Sequence, residues 1–99
     1  MLDIRMGESG EVLLTGRLDA AQTARLQEFL DRIADPRVID FKGLEYISSA
    51  GLGVLLKTQK RVFESSGALK LTNVSKHIGD VFNYSGLDQI FDIELVDAP

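Results

Sequence analysis

A short apolar run, Val38-Ile39-Asp40-Phe41, a stretch of helical periodicity from about Ala50 to Ser66, and a second extended run from Ala68 to Val74 follow one another in this chain. A strand, a helix and a strand in succession constrain the fold strongly, because parallel strands need a crossover rather than a tight turn. The flanking sequence repeats the unit. Leu26, Phe29, Leu30 and Ile33 recur at helical spacing between Ala20 and Ala34, with Asp19 as N-cap and Asp35-Pro36 as the stop. Ser75 caps a further helix covering Ile78, Val81, Phe82 and Tyr84, and Gly86 ends it before an extended segment from Ile90 to Val96. At the start, Leu2-Asp3-Ile4-Arg5-Met6 alternates at period two, Gly7-Glu8-Ser9-Gly10 turns, and Val12-Leu13-Leu14 extends until Gly16 closes the run. That pattern is a β-hairpin. The expected fold is therefore α/β, a mixed and largely parallel sheet packed with helices and opening with a hairpin, in one domain over residues 1–99.

The central helix predicts its own orientation. Leu52, Leu55, Leu56, Gln59, Val62 and Phe63 fall on one stripe, leaving Val54, Thr58, Arg61 and Ser65 opposite, so Val54 is expected as an exposed apolar residue. Gly67 reads as the C-cap of this helix.

Composition excludes several classes of function. With 44% apolar residues the chain can build one core unaided. The absence of cysteine removes disulfides, thiolate nucleophiles and cysteine-based zinc sites, and fits a reducing cytoplasm. A net charge of −4 argues against nucleic-acid binding, which calls for a basic patch. Asp3, Arg5 and Glu8 interrupt the first ten residues and no apolar stretch reaches spanning length, so neither a signal peptide nor a membrane anchor is expected. A cytoplasmic protein with a protein partner is the expectation. The acidic residues are scattered without the spacing of metal ligands, and nothing calls for a cofactor.

The chemistry-bearing stretch is Ser48-Ser49-Ala50-Gly51-Leu52-Gly53, where an extended segment becomes a helix. The free amides and dipole of a helix N-terminus favour an anion there, so a phosphate esterified to one of these serines would be stabilised. Ser is equally a preferred N-cap, and Ser49 read alone serves that structural role as well. Asp40, read as the carboxyl end of a strand, has two readings: a carboxylate facing the crevice where such sheets carry sites, or a local cap of the Lys42-Gly43 turn. Gly51 and Gly53 lack the third glycine of a dinucleotide fingerprint and read as close-packing positions. A hydrolase would have to pair Ser49 with His77, the one histidine, but Gly-x-Ser-x-Gly is absent because Ile47 occupies its first position.

Val38-Ile39-Asp40-Phe41 followed by Tyr46-Ile47-Ser48-Ser49-Ala50-Gly51-Leu52-Gly53-Val54-Leu55-Leu56 resembles the signature of STAS domains, in particular the small stand-alone anti-sigma factor antagonists. Gly16-Arg17-Leu18-Asp19, Leu69 to Val74 and Gly86-Leu87-Asp88 extend the resemblance over nearly the whole chain. It implies a binding protein rather than an enzyme. The unmodified form would bind an anti-sigma factor that is also a serine kinase of histidine-kinase-like ATPase fold. Phosphorylation of Ser49 would release it, and a PP2C-type phosphatase would restore the hydroxyl. Many members have aspartate before the acceptor; Ser48 stands there in this chain and becomes a second candidate acceptor. The implied interface combines Asp19, Ala20 and Thr23 with Ser48, Ser49, Leu52 and Val54, and Asp40, Ala50 and Gly51 would support the phosphosite. Two alternatives stand beside this one: a STAS subunit of a lipid or anion transport assembly docking on its ATPase, and, more distantly, the serine hydrolase.

Overall fold

The computed structural model describes residues 1–96. Strand β1 (Leu2–Met6) pairs antiparallel with β2 (Val12–Leu18), forming the expected hairpin. A 3-10 turn (Ala20–Gln22) leads into α1 (Thr23–Asp31), followed by β3 (Val38–Ile47), α2 (Ser49–Glu64), β4 (Lys70–Val74) and α3 (Lys76–Tyr84). A second 3-10 turn (Leu87–Gln89) precedes β5 (Asp92–Leu95). The strands lie in sequence order, β1-β2-β3-β4-β5, and every pairing after the hairpin is parallel. None of the helices among the described residues is long and apolar enough to cross a membrane.

Strand order fixes the layers. The three parallel connections advance in the same direction across the sheet, and right-handed crossovers then place all three helices on one face. Val12, Ile39 and Leu71 sit side by side and are buried under that layer, as is Phe41 farther along β3. One step along each strand, Leu13, Asp40 and Thr72 form the neighbouring row on the opposite face and are only half-covered. Leu26 and Leu30 of α1, Leu55 and Val62 of α2, and Ile78 and Phe82 of α3 join the strand residues in one core. Phe82 reaches Phe41 with ring centroids 6.2 Å apart and Phe91 at 5.5 Å, edge to face.

Two strands run longer than the sequence suggests. β2 passes through Gly16, whose φ of 98° and close approach to the Met1 carbonyl demand a residue without Cβ, and continues to Leu18. β3 continues past Phe41 through Lys42-Gly43 to Ile47, because a Cβ at Gly43 would lie 2.8 Å from Thr15 Oγ1 and the glycine lets the two strands close up. At the other edge, Lys70 of β4 pairs with Glu94 of β5 at 2.9 Å. The hydrogen bond and charge of Glu94, then the charge of Asp92, hold the exposed ammonium above the usual lysine range.

The orientation of α2 differs from the predicted stripe. Its buried residues are Gly51, Leu52, Val54, Leu55, Thr58 and Val62, whereas Leu56 and Phe63 are exposed. Val54, expected outside, is 7% exposed and belongs to the core. The rotation follows from α1, which packs beside α2 and covers the flank that a sheet alone would leave free. Arg61, also expected outside, donates from Nη2 to the Leu30 carbonyl at 2.8 Å and from Nη1 to the Ile33 carbonyl at 3.2 Å. Leu30 lies in the last turn of α1 and Ile33 two residues beyond its end, where carbonyls are short of helical partners. The stop of α2 also differs: Ser66, not Gly67, takes the left-handed conformation at φ 62°. Ser66 N–H donates to the Phe63 carbonyl at 3.0 Å and Gly67 N–H to that of Val62 at 2.9 Å, a Schellman closure with serine in the strained position.

Gly51 and Gly53, both read as close-packing positions, separate. A Cβ on Gly51 would lie 2.8 Å from Leu18 Cγ and 3.1 Å from Ile47 Cγ1, whereas one on Gly53 would meet nothing within 4 Å. Gly51→Ala is expected to lose stability: overpacking a closed contact costs about 1–3 kcal/mol, against roughly 1 kcal/mol of gained helix propensity. Gly53→Ala keeps the propensity alone and should gain about 0.5–1 kcal/mol. Urea unfolding of both variants checks the opposite signs. Val54→Asp places an unpaired carboxylate in the core, at a cost of about 3–5 kcal/mol. A thermal melt should show its Tm lowered by more than about 15 °C.

Candidate functional site

β2 and β3 run parallel and end level, with Leu18 opposite Ile47. Each strand hands over to a helical turn through a capping residue in extended conformation: Asp19 at φ −93°, ψ 178° and Ser48 at φ −89°, ψ 168°. The Ser48 N–H donates to the Leu18 carbonyl at 2.9 Å, so the two caps stand side by side on one rim of the sheet. Asp19 Oδ1 accepts from Ala21 N–H at 3.1 Å, and Ser48 Oγ accepts from Gly51 N–H at 3.1 Å. Asp19 caps as the sequence predicts, but what it caps is the 3-10 turn; α1 starts only at Thr23, after Gln22, which makes no side-chain capping bond. On α2, however, the cap is Ser48 rather than Ser49.

That one-residue difference divides the two hydroxyls. Ser48 is half-buried and its Oγ is engaged in the cap, whereas Ser49 opens α2 and is exposed. Leu52 N–H is taken by the Ser48 carbonyl at 3.0 Å and Gly51 N–H by its hydroxyl, while the amides of Ser49 and Ala50 precede the first intrahelical acceptor. The first turn of this 16-residue helix contains no acidic residue. The positive end of its dipole is therefore not offset by a carboxylate of its own turn. An added anion on Ser49 Oγ would sit in solvent at a favourable helix end.

The other expected residues fall unevenly around this rim. Ala20 is exposed beside Asp19, and Thr23 is half-buried with its hydroxyl donating to the Ala20 carbonyl at 2.9 Å. Ala50 is exposed next to Ser49, and Gly51 is the contact that seats the helix against Leu18. Leu52 and Val54 lie in the core and offer a partner almost no surface, which corrects both as contact residues. Asp40 is corrected as a phosphosite support, because β3 runs on for seven residues beyond it. At about 3.3 Å per residue the Asp40 carboxylate lies some 25 Å of strand away from the rim. It accepts from Lys42 N–H at 2.8 Å and from Asn73 Nδ2 at 3.0 Å, so the local bond to Lys42 expected of a cap is made, but within a continuous strand and not at a turn. His77 is exposed on the first turn of α3, and no hydrogen bond joins it to either serine among the described residues.

Two features of the site were not anticipated. Arg17 and Tyr46 pair across β2 and β3, each two residues before its cap, with the guanidinium carbon 4.4 Å from the ring centroid. The equal offset of Arg17 from Asp19 and of Tyr46 from Ser48 is visible in the sequence once the two strands are known to be in register. The second is the exposed side of α2, where Leu56 and Phe63 face outward.

The fold has counterparts in known proteins. A family model described as the Mlab, STAS domain matches residues 4–97. The anti-sigma-B factor antagonist of Bacillus subtilis (strain 168) is 33% identical over 96 residues, covering 93% of this chain and 88% of the relative. Among solved structures, the anti-sigma factor antagonist SpoIIAA in its unphosphorylated form superposes with a TM-score of 0.67 at 20% identity, over 100% of this chain and 90% of its own. The phosphorylated form of SpoIIAA, a Bacillus cell fate determinant, gives 0.66 at 21% identity over 94% of this chain and 90% of its own. A sulfate transporter family protein from Wolinella succinogenes shares the fold with a TM-score of 0.74 at 19% identity, over 93% of this chain and 87% of its own. With a family match over nearly its whole length and a relative one-third identical, this chain belongs to the STAS domain family.

Proposed function

We propose that this chain is an anti-sigma factor antagonist acting in the cytoplasm through a phosphorylation-controlled partner switch. Unmodified, it binds an anti-sigma factor that is also a serine kinase of histidine-kinase-like ATPase fold. The kinase transfers the γ-phosphoryl group of ATP to Ser49 Oγ, the hydroxyl proton leaves, and ADP is released. A PP2C-type phosphatase hydrolyses the ester and restores the hydroxyl. The chain performs no catalysis itself; it is the substrate of both enzymes.

The observation that carries this reading is the free, exposed hydroxyl of Ser49 at a helix mouth without its own acid, beside a serine already committed to the cap. The likeness to the Bacillus subtilis antagonist supports it. Phosphoserine adds about −1.5 to −2 charges at pH 7, which the helix end and surrounding water accommodate without refolding. A partner pressed on the same spot would have to desolvate that charge. A loss of about 2.7 kcal/mol weakens a complex a hundredfold, and one uncompensated charge in an interface suffices for it. A transport ATPase as the partner would engage the same rim and is the alternative, kept in the test because the fold is shared with a sulfate transporter family protein.

The test incubates wild type, Ser48→Ala and Ser49→Ala with the anti-sigma kinase and ATP and locates phosphate by peptide mass. Wild type and Ser48→Ala are expected to be modified on Ser49. Ser49→Ala is expected to bind the kinase and stay unmodified. Ser49→Asp should fold, because a negative group at this helix end is worth about 0.3–1 kcal/mol, and should bind poorly. Phosphate on Ser48 in the Ser49→Ala protein would overturn the assignment, and binding to a transport ATPase instead of the kinase would overturn the switch.

A further inference from the structure

Leu56 and Phe63, expected inside, are left outside by the orientation of α2, and Phe63 is 76% exposed. Ser49, Gly53, Leu56, Lys60 and Phe63 follow one another at intervals of four, three, four and three residues. At 3.6 residues per turn these five positions stay within about 40° of a single line along the helix, over about 21 Å. The serine and the exposed apolar residues therefore share one face. Gly53 leaves bare backbone in that line, with open space where a side chain would stand.

At the far end of the line, Leu56, Gln59, Lys60, Phe63 and Ile90 line a groove of about 410 Å³. Gln59 Nε2 donates to the Ile90 carbonyl at 2.9 Å, which ties the segment before β5 to α2. Burying one large apolar side chain there is worth roughly 1.5–3 kcal/mol. The charge around the groove opposes that of the chain as a whole. Among the described residues Lys60 is the only charged residue of its lining; exposed Lys57 lies one turn before and exposed Glu64 follows Phe63, so these three groups sum to +1 on a protein of net charge −4. A second copy docked by a two-fold axis passing through the middle of the groove would bring Lys60 near its own copy. An acidic partner meets the lysines favourably.

We infer that the contact with the anti-sigma kinase runs along this whole face of α2, from Ser49 to the Leu56–Phe63–Ile90 groove, and that the groove takes an apolar side chain of the kinase flanked by acidic residues. This rests on the reading of Ser49 given above and adds the anchor that the buried Leu52 and Val54 cannot supply. Phosphorylation then acts at one end of a strip whose other end holds the partner by apolar burial. Attraction by the lysines should make the complex salt-sensitive.

The experiment titrates wild type, Phe63→Asp, Lys60→Glu and Ser49→Asp with the purified anti-sigma kinase, with thermal melts and sedimentation of each protein alone. Phe63→Asp and Lys60→Glu are expected to keep the wild-type Tm, since both side chains are exposed, and to raise Kd about tenfold or more. Lys60→Glu should also flatten the salt dependence. If wild type binds and Ser49→Asp does not, while Phe63→Asp and Lys60→Glu bind as wild type, the groove inference falls and the switch stands. If wild type does not bind the kinase, both fall. A wild-type dimer dissociated by Phe63→Asp, with kinase binding unchanged, would assign the groove to self-association and overturn the inference.

Discussion

The helix that carries the serines reaches the rim of the sheet only because Gly51 has no side chain. Leu18 Cγ occupies the space 2.8 Å from where a Cβ would be, and Ile47 closes it from the neighbouring strand. With the helix seated that close, the Ser48 N–H reaches the Leu18 carbonyl, the ends of β2 and β3 are locked level, and Asp19 and Ser48 cap their turns side by side. Everything at the site follows from this seating, since it decides which serine is spent on the cap and which is left in solvent. Arg61 fixes the other end of the same helix by holding carbonyls at the end of α1 and just beyond it. α2 is thus pinned at both ends, and its outward face is a rigid platform.

Much of the fold was legible in the sequence because its signals are local. Period-two alternation marked the hairpin, Gly86 marked the end of α3, and the crossover argument gave a largely parallel sheet, while α1 stops at Asp31, four residues before Asp35-Pro36. What failed was what depends on tertiary neighbours. The stripe drawn on α2 selected its largest apolar residues, but α1 covers the flank holding Val54 and Thr58, so burial there obeys the neighbour and not the side-chain size. Lys42-Gly43 looked like a turn, and placed Asp40 at the end of a strand. The strand runs on because Gly43 admits Thr15, a contact between residues far apart in the chain. Ser66 in place of Gly67 at the left-handed position is a further case, since closure is set by the hydrogen bonds to Val62 and Phe63.

The serine pair was legible as a location but not as a division of labour. Sequence alone supports either hydroxyl as the cap, because Ser is favoured at that position whichever residue begins the helix. One residue of register decides it, and the register comes from the Leu18 contact. The apolar face of α2 was hidden for the same reason. Residues assigned to the core leave no surface to interpret, and only the rotated helix shows Phe63 outside.

The ends of the sheet carry a different consequence. β1 is five residues long and β5 four, and their side chains include Asp3 and Arg5 on one and Asp92 and Glu94 on the other. Short, charged edge strands resist pairing with a strand of another molecule, so the sheet offers no template for stacking into fibres or for lengthening by a foreign peptide. The chain can then crowd at high concentration with the edges of its sheet closed to growth.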